Sequence, residues 1–489
     1  MIEKYYSGVI EQIYNRIGKE TRNIVMANYS NDFSIENLEV IRRYQSNEDN
    51  VFFAYSEFSY NTLIGAYEPF LDIICNMHRR FIGGSFDDFQ KECGVYYLHR
   101  QVLNSYYETG ECFREETVLL NEVAYERRRM TMAIADMLKR LSEVRPLMIV
   151  INRFQMASKS SIETIKYLID NPCASIGIVL GVNALVKGTD STVEVWDRIV
   201  ESLEDRSAIY YIGSAGSLKN NVKTTNDDEL YITMNFEQSI QEASNIMEFL
   251  DFEQAKRGCR IIEHKLKFED AWIDEKSLRR FYMVYARTSV LLGEMSKAIE
   301  LTNEYKALIP KNDSEHYLSL YYFMKGTCYM YQGKLEKAEN CAKSAYDYAV
   351  LAEDDTLIFK AELLSVMIKM SGWYNIFFCV QDIPVSDEII EKLIKHGYRN
   401  HLAHIYIYAY DNSRDVVKQY FYDESLLKHF TKGLELAKEI GNEQLVYDAY
   451  QKIIMLASTN GFNEIAFLYV IRTYEFMKGH GNIYVARLQ

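Results

Sequence analysis

Proline is nearly absent from this sequence, with five among 489 residues, and glycine is sparse at 23. Both residues punctuate turns and interrupt helices, so their scarcity excludes a turn-rich β architecture and favours long helices. No apolar run reaches the ~18 residues that a membrane helix needs, so none is expected to span a bilayer. The first residues, Met1 to Tyr6, lack the charged start and apolar block of a secretory signal. Cysteine never forms a C-x-x-C pair. The eight, at 75, 93, 112, 173, 259, 328, 341 and 379, are expected as reduced core thiols, not as a disulfide framework. Basic charge is in the minority: 55 Lys and Arg against 69 Asp and Glu leave a net −14. That balance excludes a broad nucleic-acid or acidic-membrane surface. The expected location is the cytoplasm.

What is present is an ordinary folded composition, 48% apolar and 25% charged. Tyrosine is abundant at 39, a side chain that fills interhelical gaps while keeping a hydroxyl near water. At this length two to four domains are expected.

Asn23 to Asn47 has the frame of a phosphate-binding loop without its phosphate-binding residues. Ile24-Val25-Met26 reads as a short strand, 27–34 as a polar loop, and Ile35 to Ile41 repeats apolar residues at helical spacing. Laid on G-x-x-x-x-G-K-[ST], Ala27 stands at the first Gly, Asp32 at the second, Phe33 at the Lys and Ser34 at the last position. A phosphate needs backbone N–H groups, close approach over glycine and a cation. Here it meets a carboxylate and a phenyl ring. Ser34 also reads simply as the N-cap of the helix that follows.

A second position repeats the substitution. After Pro146, Leu147 to Ile151 is a continuous apolar run, as in a parallel strand buried on both faces. In P-loop NTPases such a strand ends in an acidic pair that holds Mg²⁺ and polarises water. This one ends in Asn152 and Arg153. An amide is a poor Mg²⁺ ligand, and an arginine is no base.

Val51 to Ala54, Pro146 to Ser161 and Ser175 to Gly181 resemble successive core strands of the AAA/STAND signalling ATPases. The chain is similar to the ATPase modules that precede helical repeats in large LuxR-type bacterial activators and in bacterial kinase or diguanylate cyclase sensors. Ile149 to Ser161 resembles that family's acidic strand end and the segment behind it. The resemblance spans roughly residues 1–250 and implies a P-loop α/β domain. Asp32, Phe33, Asn152 and Arg153 depart from its catalytic set, which implies that ATP hydrolysis is lost.

Strands and helices alternate up to Ile209-Tyr210-Tyr211-Ile212. Ala66 to Arg80, Phe113 to Val144 and Ile162 to Ile169 are expected helices, the second on Leu119, Leu120, Val123, Met130, Ile134, Met137 and Leu141. Composition shifts to Gly, Ser, Asn, Lys and Asp over 213–229. Beyond Glu253 helix pairs follow one another. Gly326, Tyr329, Gly333, Ala338, Ala342 and Ala345 fit the small and aromatic positions of a tetratricopeptide repeat. Gly293, Ala298 and Pro310 match forty residues earlier, and Gly461 with Ala466 match again. The fold class is therefore an α/β P-loop NTPase-like domain with a mainly parallel sheet, followed by an all-α TPR-like solenoid. Residues 1–225 form the first, 226–260 a short helical lid or linker, and 261–489 the repeats.

Candidate chemistry outside this frame is thin. His401 and His404, with His396 nearby, share a helical face but have no acidic or thiol ligand beside them, and packed or solvated histidines are expected. Arg127, Arg128 and Arg129 splay around a helix and are expected on a solvated face. No nucleophile elbow, zinc-protease, kinase or EF-hand signature is present. The sequence points to a non-catalytic signalling or scaffolding protein with no cofactor. Its repeats would bind another protein, with Tyr329, Tyr406, Tyr408 and Tyr410 as candidate contacts; no nucleic-acid or membrane partner is expected, and homo-oligomers stay open. The alternative is an NTP-responsive switch that still binds ATP and Mg²⁺ through atypical contacts, Ser34 among them.

Overall fold

The computed structural model describes residues 2–21, 23–29, 38–46, 50–58, 63–120, 122–183, 199, 209–211, 235–268, 273–312, 314–375 and 382–480. These residues form two compact units, 1–114 with 123–292, and 115–122 with 293–489.

The first unit is built on a parallel sheet. Its strands are β1 (Ile24–Tyr29), β2 (Phe52–Glu57), β3 (Leu147–Asn152), β4 (Ile176–Asn183) and β5 (Ile209–Tyr211), in the order β2-β3-β4-β1-β5. Each neighbouring pair runs parallel. Every residue of β3 is buried, the outcome of an unbroken apolar run covered on both faces. One face lies under α1 (Ile2–Arg16) and α2 (Glu39–Ser46), whose Tyr6, Ile10, Ile13, Val40 and Ile41 join Val25, Met148, Val150 and Val179 in one core. Gly177 admits α1 there, because a Cβ would fall 2.9 Å from Ile13 Cγ2. Tyr6 anchors the contact by donating its hydroxyl to the Ala27 carbonyl at 2.8 Å.

Around the sheet stand α3 (Phe70–Met77), extended by a π turn at His78–Ile82, α4 (Phe86–Glu92), α5 (Tyr97–Thr109), α6 (Val123–Val144) and α7 (Lys159–Asp170). After the sheet come α8 (Phe236–Glu248), α9 (Phe252–Phe268) and α10 (Glu275–Leu291). The seven described cysteines are free thiols. No described helix is long and apolar enough to cross a membrane.

Two sequence expectations shift here. β1 continues to Tyr29, so Ala27 is a strand residue paired with Gly181 and Tyr210, not the first residue of a loop. The helix expected from Phe113 begins only at Val123. Gly110, left-handed at φ 75°, stops α5, and residues 111–119 take no regular structure.

The second unit is helical. Its helices are α11 (Met295–Ala307), α12 (Glu315–Tyr331), α13 (Leu335–Leu351), α14 (Asp355–Asn375), α15 (Asp387–His396), α16 (Arg399–Tyr408), α17 (Arg414–Tyr420), α18 (Lys428–Glu439), α19 (Glu443–Thr459) and α20 (Asn463–His480). Gly333 at φ 70° turns α12 into α13, and Gly461 at φ 79° turns α19 into α20. Small residues close the first pair: Ala338, Ala342 and Ala345 are buried, and a Cβ on Gly326 would meet the Cys341 Cβ of α13 at 3.2 Å. The third expected turn, at Gly293 (φ 78°), falls where the two units divide.

Candidate functional site

In an open parallel sheet, ligands bind beyond the carboxyl ends of the strands, where neighbouring connections leave in opposite directions. Here β1 leads toward β2 on one edge while β4 leads toward β5 on the other, and β1 and β4 are neighbours. The end of β3 lies next to β4 on this side of the sheet. Asn152 closes that strand fully buried, and Arg153 follows in the left-handed region at φ 56°. Gly181 on β4 makes room for the amide, since a Cβ there would fall 2.9 Å from Asn152 Oδ1.

A carboxylate missed in the sequence does reach this edge. Glu57 ends β2 directly opposite Asn152. Arg153 lies 3.3 Å from Glu57 Oε1, and the Tyr55 hydroxyl donates to Oε2 at 2.6 Å. Its charge is met within the fold, so it is poorly placed to take up a metal or activate water. Nothing in the spacing of residues 57 and 152 brings them together; only the strand register reveals that this acid faces this amide. Ala27 sits in β1, while Asp32, Phe33 and Ser34 lie outside the described residues.

The segment after β3 is held by serine hydroxyls. Ser158 caps α7, accepting from the Ser161 N–H, and its hydroxyl lies 3.0 Å from that of Ser160. The Ser161 hydroxyl donates to the Glu68 carbonyl at 2.7 Å. Arg127 is not solvated as expected: it donates to both oxygens of Glu253, at 3.1 and 3.0 Å. Arg129 instead lies over the Tyr96 ring at 4.0 Å, so the arginines splay to different partners.

A cavity of about 230 Å³ in this unit gathers Glu68, Asp72 and Glu242 with Tyr106 and Asn245. Burial pushes Glu242 up to about 7, and the charges of Glu68 and Asp72 add to the rise. Burial also raises Glu68, against the pull of the Gly65 N–H it accepts at 2.9 Å. The Tyr106 hydroxyl donates to Asp72 at 3.1 Å. The pocket therefore changes charge near neutrality. No spacing rule could collect residues 68, 72 and 242.

In the helical unit the histidine pair finds the partners its sequence neighbourhood lacks. Glu116 Oε1 accepts from the His401 backbone N–H at 2.5 Å and lies 2.6 Å from His401 Nδ1. Glu122 Oε1 lies 2.9 Å from His404 Nε2 and accepts from Asn442 Nδ2 at 3.0 Å, while Oε2 accepts from Asn400 Nδ2 at 3.2 Å. The Tyr331 hydroxyl accepts from the Leu120 N–H at 3.2 Å, and the Tyr398 hydroxyl donates to the Glu115 carbonyl at 2.7 Å. Burial works against a charged His404, but the charge and hydrogen bond of Glu122 outweigh it and raise its pKa. Burial likewise opposes a charged Glu122, and His404 with the two asparagines outweighs it, leaving that pKa lowered. His396 stacks on Phe359 and stays apart. Among the described residues no group of three or more His, Cys, Asp or Glu side chains is placed to hold a metal ion. The arrangement is a buried latch on residues 115–122.

The four tyrosines expected at a partner surface divide. Tyr406 and Tyr408 are core side chains, because α16 is buried along its length from Asn400 to Tyr408. Lys432 donates to the Tyr406 hydroxyl at 2.8 Å, and Tyr408 stacks on His404. They offer almost no surface to a partner. Tyr410, stacked on His429 at 4.2 Å, and Tyr329 are half-buried.

The sequence matches no protein-family model, and no curated protein matches it. Solved structures do match. A Rap protein complexed with competence and sporulation factor shares 11% identity, covers 84% of this chain and 98% of its own, and has a TM-score of 0.34. A Signal Transduction ATPase with Numerous Domains (STAND) protein with a tetratricopeptide repeat sensor, from Pyrococcus horikoshii, shares 12% identity, covers 96% of this chain and 82% of its own, and has a TM-score of 0.38. At such identities and TM-scores these likenesses assign the chain no activity.

Proposed function

We propose that this chain is a non-catalytic signalling or scaffolding protein. Its α/β unit serves as a pseudo-ATPase platform, a degenerate relative of AAA/STAND modules, and its helical repeats bind a protein partner. The observation that carries this reading is the end of β3. Asn152 and Arg153 stand where hydrolysis would need two acids, and Arg153 neutralises Glu57, the carboxylate that does arrive there. The parallel sheet, with β1 and β4 leading toward opposite edges, supports the platform half of the reading. The paired helices with glycine turns support the arm.

Calorimetric titration of the full chain with Mg·ATP, run beside a phosphate-release assay, tests the proposal. Neither saturable heat nor phosphate release is expected. Saturable heat at micromolar nucleotide without release would favour the NTP-responsive switch instead, and release would remove the pseudo-ATPase reading altogether.

A further inference from the structure

Helix α20 is two-sided. Ile465, Ala466, Tyr469 and Thr473 face inward, where Tyr469 meets Tyr420 hydroxyl to hydroxyl at 3.1 Å and packs on Tyr450 and Phe430. The other side carries large apolar residues in the open: Phe467 is 66% exposed, Ile471 40% and Tyr474 66%, with Val470 at 47% beside them. Single exposed apolar residues are ordinary, but a contiguous row on one helix marks an interaction face. The row also has a register. Glu464, Phe467, Ile471, Tyr474 and Lys478 are spaced three, four, three and four, the seam spacing of a helix that packs along another helix. Its centre is apolar and its ends carry opposite charge, both exposed.

That charge order selects the occupant. Two copies of the helix laid antiparallel about Ile471 put Glu464 of each beside Lys478 of the other, while Phe467, Ile471 and Tyr474 cover one another. Within one helix the two charges are fourteen residues, or roughly 21 Å, apart and cannot pair. The stripe is thus complementary to itself under a two-fold axis, the geometry of an isologous dimer.

We propose that the exposed face of α20 is the contact between two copies of this chain, packed antiparallel. One stripe on one helix covers less than the ~800 Å² per partner of a standard interface, so the dimer is a weak one, of micromolar order. This inference stands apart from the nucleotide reading and does not depend on it.

Sedimentation velocity of the full chain across the micromolar range is the test. The expected result is a concentration-dependent monomer–dimer equilibrium that Phe467→Glu with Ile471→Glu abolishes. Both positions are exposed, so the far-UV circular dichroism should stay that of the parent chain. Glu464→Lys alone should weaken dimerisation at least tenfold, and adding Lys478→Glu should restore it. Such rescue requires that the two charges meet across copies. A chain that remains monomeric throughout would leave the stripe to an unlike partner and overturn the proposal. A dimer indifferent to Phe467→Glu with Ile471→Glu would place the contact elsewhere and overturn it equally.

Discussion

Glu122 and His404 face each other at 2.9 Å with both side chains buried, 282 residues apart in the chain. The pair gives the helical unit a pH dependence whose sign follows from the shifts. The His404 pKa is raised above its ordinary 6.5, so its contribution is complete below 6.5 and fades as pH climbs through the raised value. The Glu122 pKa is lowered from 4.5, so its contribution is complete above 4.5 and fades as pH falls through the lowered value. The pair's contribution to the urea midpoint of the helical unit should thus be greatest between pH 4.5 and 6.5 and decline toward alkaline pH, against Lys452, whose buried ammonium, pushed down to about 7, opposes that decline above neutrality. His404→Gln should flatten the alkaline decline. An unchanged slope in that variant would assign the decline to other groups.

Removing one partner should cost more than the pair contributes. Glu122→Ala takes away the carboxylate that buried His404, Asn400 and Asn442 share, a loss of about 3–5 kcal/mol for a broken buried pair. Denaturant titration of the full-length variant measures it. For the same reason a fragment of residues 293–489, the helical unit without its 115–122 segment, lacks Glu116 and Glu122 and should melt early. A synthetic peptide of residues 115–122 added in trans should raise its melting temperature, and a peptide with both glutamates changed to glutamine should not.

Gly433 marks a close helix crossing in the repeats. A Cβ there would lie 2.8 Å from Ile407 Cγ1, 2.9 Å from Tyr406 Cβ and 3.1 Å from the Ala403 carbonyl. Alanine normally favours helix over glycine by about 1 kcal/mol, but here α16 must be pushed away. Gly433→Ala should therefore destabilise the unit by about 1–3 kcal/mol, the usual cost of overpacking. Thermal unfolding decides the sign.

In the acidic cavity the linkage runs the other way from that of Glu122. Glu242 rises from 4.5 to about 7, so the folded state holds a proton that the unfolded chain releases, and stability falls as pH increases across that interval. Glu242→Gln should be close to neutral at pH 4.5 and stabilising above pH 7 by up to about 3 kcal/mol. Hydrogen exchange of the α8 amides at the two pH values checks this.

The parallel sheet was legible because β3 is an unbroken apolar run, and the α12–α13 pair because Gly326, Gly333 and Ala338 keep their spacing. What escaped were relationships set by distance along the chain. Leu119, Leu120 and Val123 satisfy helical spacing, yet Gly110 had already marked a stop, and the carboxylates on either side are drawn to helix α16. Arg127 looked solvated because its partner, Glu253, stands 126 residues away. Tyr406 and Tyr408 looked like a groove because periodicity cannot tell a helix with one apolar side from one enclosed all round.

The placement of residues 115–122 in the helical unit sets a timetable for synthesis. Val118 and Leu119 leave the ribosome well before the α16 residues that will hold their segment have been translated. At ordinary elongation rates the interval is on the order of tens of seconds. Throughout it a nascent chain carries an apolar, acid-flanked stretch with nowhere to dock, open to chaperones and proteases until His404 emerges.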